Sequence, residues 1–180
     1  MHEIIYKFKT VKTPVGLLKL IASPNGLSAV LWEHDDLNRI RLQPQVLDEH
    51  NPVLTETEKQ LGEFFAGTRT VFELPLDFKG TTFQKAVWSE LLKVPFGQVK
   101  TYGEIAKAVG NPLAVRAVGA ANGKNPISII CPCHRIIGTN GLLTGFAGGL
   151  DIKTMLLQLE HWTSNDSTQF RIDLKQRPLI

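Results

Sequence analysis

Between Thr101 and Gly123 the chain carries signals to start and stop two short helices within one tight span, and no other stretch restricts the fold as much. Thr101-Tyr102-Gly103-Glu104 is a capping box, in which the threonine hydroxyl and the glutamate carboxylate satisfy two orphan N–H groups reciprocally. The helix it opens runs to Ala108 and closes at Gly110. Asn111 then fits an N-cap with Pro112 at the first helical position, so a second helix is expected over residues 113–122, stopping at Gly123. Two short helices around a glycine-containing turn form a helix-turn-helix.

The second helix is mostly Ala, Val and Gly, with Arg116 as its one long charged side chain. Small residues permit close approach to another surface. That surface is either a neighbouring helix or a nucleic-acid groove, with Arg116 as the probe. A transcription regulator would place polar base-reading side chains on this helix, and almost none are there.

The first half of the chain has a different texture. Residues 4–11, 17–22 and 27–32 are short β-rich runs, the last two joined by the turn Ser23-Pro24-Asn25-Gly26. Thr55-Glu56-Thr57-Glu58 reads as a capping box for a helix that shows Leu61, Phe64 and Phe65 on one face and stops at Gly67. Residues 70–74 are expected as a further strand, and the polar, unperiodic residues 35–51 as loop. Residues 75–80 form the expected linker. Thr81-Thr82-Phe83-Gln84 is another capping box, whose helix lines up Phe83, Val87 and Leu91 before Pro95-Phe96-Gly97 breaks the chain. After residue 123 an extended segment carries Cys133, Asn140-Gly141 marks a hairpin turn, and residues 151–160 form a last helix. The fold class is α+β. A structural domain of small sheet plus helix is expected over 1–79, a helix-turn-helix domain over 80–162, and a tail over 163–180.

The chemistry gathers at Pro132-Cys133-His134-Arg135-Ile136. Proline fixes the backbone before the thiol, and the basic neighbours favour thiolate, the nucleophilic form. Adjacent residues on an extended strand face opposite ways, so Cys133 and His134 meet only if the backbone turns or a water bridges them. Cys131, Cys133 and His134 do not make a zinc site, because adjacent ligands cannot close a tetrahedron and no second pair exists. A cysteine hydrolase would also need an oxyanion hole, and the sequence offers none.

Two cysteines one residue apart do not build a disulfide framework. No apolar stretch reaches the roughly 20 residues of a membrane span, and Met1-His2-Glu3-Ile4 lacks the layout of a secretion signal. A reducing, cytoplasmic setting is expected, with no membrane partner. Residues 1–79 hold 9 Lys and Arg against 11 Asp and Glu, and residues 80–180 hold 11 against 6, so the net +3 comes from the second half. That half suits a polyanionic partner.

Three blocks, in order, carry a family resemblance: Pro95-Phe96-Gly97-Gln98-Val99-Lys100-Thr101-Tyr102-Gly103-Glu104-Ile105-Ala106, Arg116-Ala117-Val118-Gly119-Ala120-Ala121-Asn122-Gly123-Lys124-Asn125-Pro126, and the Cys133 segment with its Gly145–Gly149 loop. They resemble the methylated-DNA–protein-cysteine methyltransferases. The resemblance implies a ribonuclease H-like N-terminal domain and a winged helix-turn-helix-like C-terminal domain. It implies a monomer that takes an alkyl group from O6 of guanine, and also from O4 of thymine, in double-stranded DNA, once and without metal or cofactor. By position, Cys133 is the acceptor, His134 its base through water, Glu160 the orienting acid, Tyr102 the donor to guanine N3, and Asn125 a brace. Arg116 is the finger that replaces the flipped base. Ala117, Ala120, Ala121, Asn122, Thr101 and Arg135 fall among DNA-binding positions, with Arg135 also supporting the site by packing or ion pairing. Ser128, Phe146, Ala147 and Gly148 line the pocket.

Phe146 stands where many relatives have tyrosine, and Cys131 where an apolar residue is usual. On an extended strand the two cysteines would lie roughly 6.5–7 Å apart, at or beyond disulfide reach. Oxidation is still expected to inactivate the protein, through a sulfenic acid or a strained bridge. The alternative implied by the same blocks is a lesion-binding protein that flips the base without repairing it. Such proteins lack the acceptor cysteine that this chain has.

Overall fold

The computed structural model describes residues 4–35 and 40–162. The chain divides into two compact units. The first ends at Gly80 and also takes in Pro126–Ile130. The second comprises Thr81–Asn125 and the residues from Cys131 onward.

The first unit is built on a four-stranded sheet in the order β3-β2-β1-β4. Strands β1 (Tyr6–Thr13), β2 (Gly16–Ser23) and β3 (Gly26–Trp32) form an antiparallel meander, and β4 (Gln45–Leu47) runs parallel to β1. Every residue of β3 is buried, as expected of a strand covered on both faces. Ala29 and Leu31 share one face with Tyr6, Ile21 and Leu42. Helix α1 (Pro52–Phe65) packs on the sheet with Leu54, Leu61 and Phe64 fully buried. Gly26 is obligatory at the β2–β3 turn, because its φ is +149° and a Cβ there would run into the Pro75 carbonyl. The outer edge of β3 is not bare. Leu27 N–H donates to Pro75 O (2.8 Å), Asp77 N–H to Leu27 O (2.8 Å), and Val30 N–H to Pro126 O (2.9 Å).

Three expectations for this unit are corrected. Helix α1 starts at Pro52, not at the Thr55 box. Asn51 Oδ1 accepts from Val53 and Leu54 N–H (3.1 and 3.2 Å), and Pro52 supplies a helical φ in advance. Residues 70–74 make no strand. The Gln60 amide donates to Glu73 O (3.1 Å) and accepts from Glu73 N–H (2.9 Å), so a helix side chain does the work of a ladder partner. The expected loop at 35–51 contains β4, whose three residues are too short to show periodicity. Phe65 is only half-buried.

The second unit is helical. Helix α2 (Thr82–Leu92) carries the capping box of Thr81 and Gln84 and buries Val87, Trp88 and Leu91, with Phe83 half-buried. Trp88 Nε1–H donates to Ala121 O at 2.9 Å, tying α2 to α4 (Val115–Gly123). Helix α3 (Tyr102–Ala108) has its Thr101–Glu104 box as expected. Helix α4 starts two residues late. Asn111 N–H is drawn back to Ala106 O (3.0 Å) in closing α3, and Asn111 O takes the Ala114 N–H (3.0 Å) in a turn. The asparagine therefore serves the end of one helix instead of capping the next.

The expected extended segment at Cys133 is instead a 3₁₀ turn, Cys133–Arg135, leading into β6 (Ile136–Ile137). The 6.5–7 Å strand spacing of the two cysteines therefore does not apply. The Asn140-Gly141 turn forms, with Gly138 N–H to Leu142 O at 2.9 Å, but no hairpin follows. Strand β6 pairs in parallel with β5 (Lys100–Thr101). Helix α5 (Leu150–Leu159) ends in a Schellman arrangement, with His161 at φ +60°, His161 N–H to Gln158 O and Trp162 N–H to Leu157 O. Glu160 is its C-cap. The expected tail, 163–180, lies outside the described residues. Among the described residues no helix is long and apolar enough to cross a membrane.

Candidate active site

The 3₁₀ turn at Cys133 begins one residue after Pro132 and is closed by Arg135 N–H to Pro132 O (3.0 Å). It places Cys133, His134 and Arg135 in one buried knot, at 4%, 0% and 6% exposure. Glu160, at 1% exposure, comes to this knot from the C-terminal end of α5.

A buried carboxylate must be paired, and Glu160 is paired heavily. Arg135 Nε donates to Oε2 (2.9 Å), Arg135 Nη2 and His134 Nε2 to Oε1 (both 2.8 Å), and Gly97 N–H to Oε2 (3.3 Å). Burial alone would raise the carboxyl pKa, but His134 and Arg135 overcome it and hold it at about 2. An ionised carboxylate only accepts, so the imidazole proton sits on Nε2 and Nδ1 is an acceptor. His134 Nδ1 has no hydrogen-bond partner among the described residues. Burial pushes the His134 pKa below its ordinary value, against the raising effect of Glu160. The ring is therefore neutral at neutral pH and able to take a proton.

Arg135 was expected among DNA-binding positions, and the structure corrects this. Its Nη1 donates to Val94 O (2.6 Å) and its remaining nitrogens to Glu160, so the guanidinium is spent inside the protein. Its ion-pairing expectation is the one that fits. Ala121 and Asn122 are likewise turned inward, at 3% and 4% exposure. Arg116, Ala117 and Ala120 are exposed on α4. Thr101 is committed to its cap, its hydroxyl donating to Glu104 Oε2 at 2.9 Å.

Tyr102 opens α3 directly after β5, which pairs with the strand that follows Cys133. Its hydroxyl accepts from Thr144 Oγ1 (3.4 Å), and burial raises its pKa, with a further raising contribution from Cys133. The phenol therefore keeps its proton and can donate it. Asn125, 1% exposed, donates from Nδ2 to Cys131 O at 2.8 Å, linking the end of α4 to the segment before Cys133. Ser128 is buried in the part of the chain that belongs to the first unit. Next to it Ile129 has φ +71° and Ile130 N–H reaches back to Ser128 O (2.9 Å), a γ-turn that strains a β-branched residue. Phe146 is half-buried, Ala147 exposed and Gly148 half-buried in the loop ahead of α5.

One participant escaped sequence reasoning. Lys153, on α5, is fully buried and donates to Ile136 O (2.5 Å) and Thr144 O (2.9 Å). Desolvation lowers its pKa to about 8, opposed by the charge of Cys133. In sequence it reads as an ordinary solvated lysine. Its position three and four residues before Leu156 and Leu157, both buried, was the available signal. Cys131 is wholly buried, and desolvation drives its pKa well up. Among the described residues no group of three or more His, Cys, Asp or Glu could hold a metal ion.

Two family models match. The "6-O-methylguanine DNA methyltransferase, ribonuclease-like domain" covers residues 5–78, and the "6-O-methylguanine DNA methyltransferase, DNA binding domain" covers residues 82–162. The chain belongs to the O6-methylguanine DNA methyltransferase family. A methylated-DNA–protein-cysteine methyltransferase of Methanosarcina acetivorans is 47% identical over 83% of this chain and 94% of its own. The constitutive methylated-DNA–protein-cysteine methyltransferase of Bacillus subtilis is 42% identical over 85% and 94%. The crystal structure of Mycobacterium tuberculosis OGT in complex with DNA superimposes with a TM-score of 0.77 at 42% identity, covering 87% of this chain and 92% of that one. This methyltransferase family supplies the α+β layout expected above, a ribonuclease-like part followed by a DNA-binding part.

Proposed function

We propose that the protein repairs O6-alkylguanine in double-stranded DNA, and O4-alkylthymine as a second substrate, by moving the alkyl group irreversibly onto Cys133. The observation that carries this reading is the buried Cys133–His134–Glu160 arrangement, a nucleophile followed by a neutral histidine whose far nitrogen is fixed by an ionised acid. His134 Nδ1 takes the thiol proton through a water. The thiolate attacks the alkyl carbon, a C–S bond forms, the C–O6 bond breaks, and its electron pair stays on guanine. Tyr102 donates to guanine N3 and stabilises that departing charge. A thioether is not hydrolysed under mild conditions, so each molecule acts once.

The target oxygen lies within the base stack, and extruding the nucleotide costs a few kcal/mol. Arg116, exposed on the small-residue helix, fills the gap. The complex of the M. tuberculosis relative with DNA supports a DNA partner for this chain. Residues 80–162 are the DNA-binding and acceptor domain, residues 1–79 a structural one. The protein works as a monomer in the reducing cytoplasm, where Cys131 and Cys133 remain free thiols.

The test is intact mass and peptide mapping after incubation with an oligonucleotide duplex carrying O6-methylguanine. One methyl per protein, on Cys133, is the expected result, with no gain in Cys133→Ala. Tight binding to the lesion without any mass gain would replace repair by lesion sensing. Methylation of Cys131 would overturn the assignment of the acceptor.

A further inference from the structure

The Val94-Pro95-Phe96-Gly97 turn breaks the chain after α2, and its last three residues open the first resemblance block. Its contacts give it more to do. Val94 O accepts from Arg135 Nη1 at 2.6 Å, and Gly97 N–H donates to Glu160 Oε2 at 3.3 Å. The turn thus holds both members of the buried ion pair through backbone atoms alone. Gly97 sits at φ +75°, and a Cβ built on it would lie 3.0 Å from the Glu160 backbone oxygen. Glu160 is the C-cap of α5 and its carbonyl belongs to backbone, so it cannot swing aside like a flexible side chain.

We propose that Gly97 is a positioning residue of the transfer reaction, whose missing side chain lets the turn close on Glu160 and so fixes His134 as a base. This rests on the repair reading above. Glu160 holds His134 through one oxygen and meets Gly97 through the other. A side chain at 97 displaces the glutamate backbone by a few tenths of an ångström and lengthens the contact to the imidazole. The charged groups facing His134 are Glu160 from the end of α5, Arg135 from its own turn and Lys153 from within α5. Glu160 alone raises its proton affinity. Loosening Glu160 lowers the His134 pKa, so the acid limb of the transfer rate moves to lower pH while the plateau falls.

The experiment is single-turnover methyl transfer from an O6-methylguanine duplex as a function of pH, for the full-length protein and two variants. Gly97→Asn adds a Cβ but tolerates left-handed backbone, which protects folding. Gly67→Ala is the control, since Gly67 has the same φ of +75° with nothing within 4 Å of its Cβ. Gly97→Asn is expected to lower the plateau about tenfold or more, within the range set by general-base catalysis. Its acid limb shifts downward, and in a Cys133→Ala background its affinity for duplex DNA is unchanged. Gly67→Ala keeps the wild-type rate and profile. A Gly97→Asn protein with wild-type plateau and acid limb overturns the proposal. So does a rate loss matched by lost DNA affinity with the pH profile in place. Absence of transfer in the wild-type protein removes the repair reading itself, and this proposal with it.

Discussion

Glu160 carries the electrostatics of the site. It accepts from three side-chain nitrogens and one backbone N–H, and its removal leaves Arg135 charged and buried with one acceptor, Val94 O. Glu160→Gln is expected to cost about 3 kcal/mol of stability, the scale of breaking a buried pair, measured by denaturant unfolding. It should also slow methyl transfer by about tenfold to a hundredfold, as an imidazole without its orienting acid is a poorer base. The pH dependence has a definite sign. Folded Glu160 titrates at about 2 against an ordinary 4.5, so its contribution is complete above the unfolded value and is lost as pH falls toward 2. His134 is depressed below 6.5, so below that value the unfolded chain binds a proton the folded one refuses. Both act together. Stability should begin to fall below about pH 6.5 and fall further below about 4.5, as thermal melts across pH will show. A flat melting profile between pH 7 and 4 contradicts this. At this scale the sequence was partly legible. Cys133 announced itself by its neighbours, but Glu160 emerged only through family resemblance, since 26 residues separate it from His134. Lys153 and the inward turn of Arg135 depend on burial, which residue type alone does not reveal.

Helix α4 is the element whose behaviour most directly separates binding from repair. It offers solvent Arg116, Ala117 and Ala120, and is preceded by Leu113, which is 95% exposed. Its inner side fits closely, with Ala121 O taking the Trp88 indole and Gly119 lying 4.0 Å, by its would-be Cβ, from the Tyr102 ring. The neighbouring-helix reading of its small residues therefore holds on the inner face, and the outer face is the one the proposed groove contact would use. Arg116→Ala should weaken binding to a lesion-containing duplex more than to an undamaged one, with a salt slope shallower by at most about 1. Titrations at several salt concentrations measure both, and equal losses would remove the finger role. Trp88→Phe deletes the indole bond to α4 while Ala121 O keeps the Lys124 N–H, and should cost about 0.5–1.5 kcal/mol, the net worth of one hydrogen bond. Helix starts with capping boxes were readable at Thr81 and Thr101 because the signal is local. The Asn-Pro pairs misled in opposite directions. Asn51-Pro52 does start α1 and was passed over. Asn111-Pro112 has the same letters, but α3 had already claimed its backbone.

On the scale of the whole molecule, the basic charge of the second half and the helix-turn-helix predict salt-sensitive, largely sequence-independent DNA affinity. Stability has a separate centre in the first unit. Phe64 is fully buried on α1, with ring centroids 5.4 Å from Phe65, which it meets edge to face, and 5.4 Å from Phe72, which is tilted against it. Phe64→Ala should cost about 3–5 kcal/mol, read from chemical unfolding, while the folded fraction retains its capacity to take up one methyl. The α+β layout was visible in the order of strand runs and capped helices. The return of Pro126–Ile130 to the first unit was not, because pairing between distant segments leaves no local pattern.

That return sets an order of events during synthesis. Strand β3 is finished once residue 32 is made, and its outer edge receives Leu27 bonds from residues 75–77. The bond from Val30 waits for Pro126. While the ribosome adds the intervening residues, a strand that is fully buried in the finished protein stays partly open to pairing with other nascent chains. The first unit thus begins the chain but is not complete until residue 130, after residues 81–125 of the second have been made. A chain terminated anywhere between residues 81 and 125 leaves that edge unsealed, and such fragments should aggregate where the full-length protein does not.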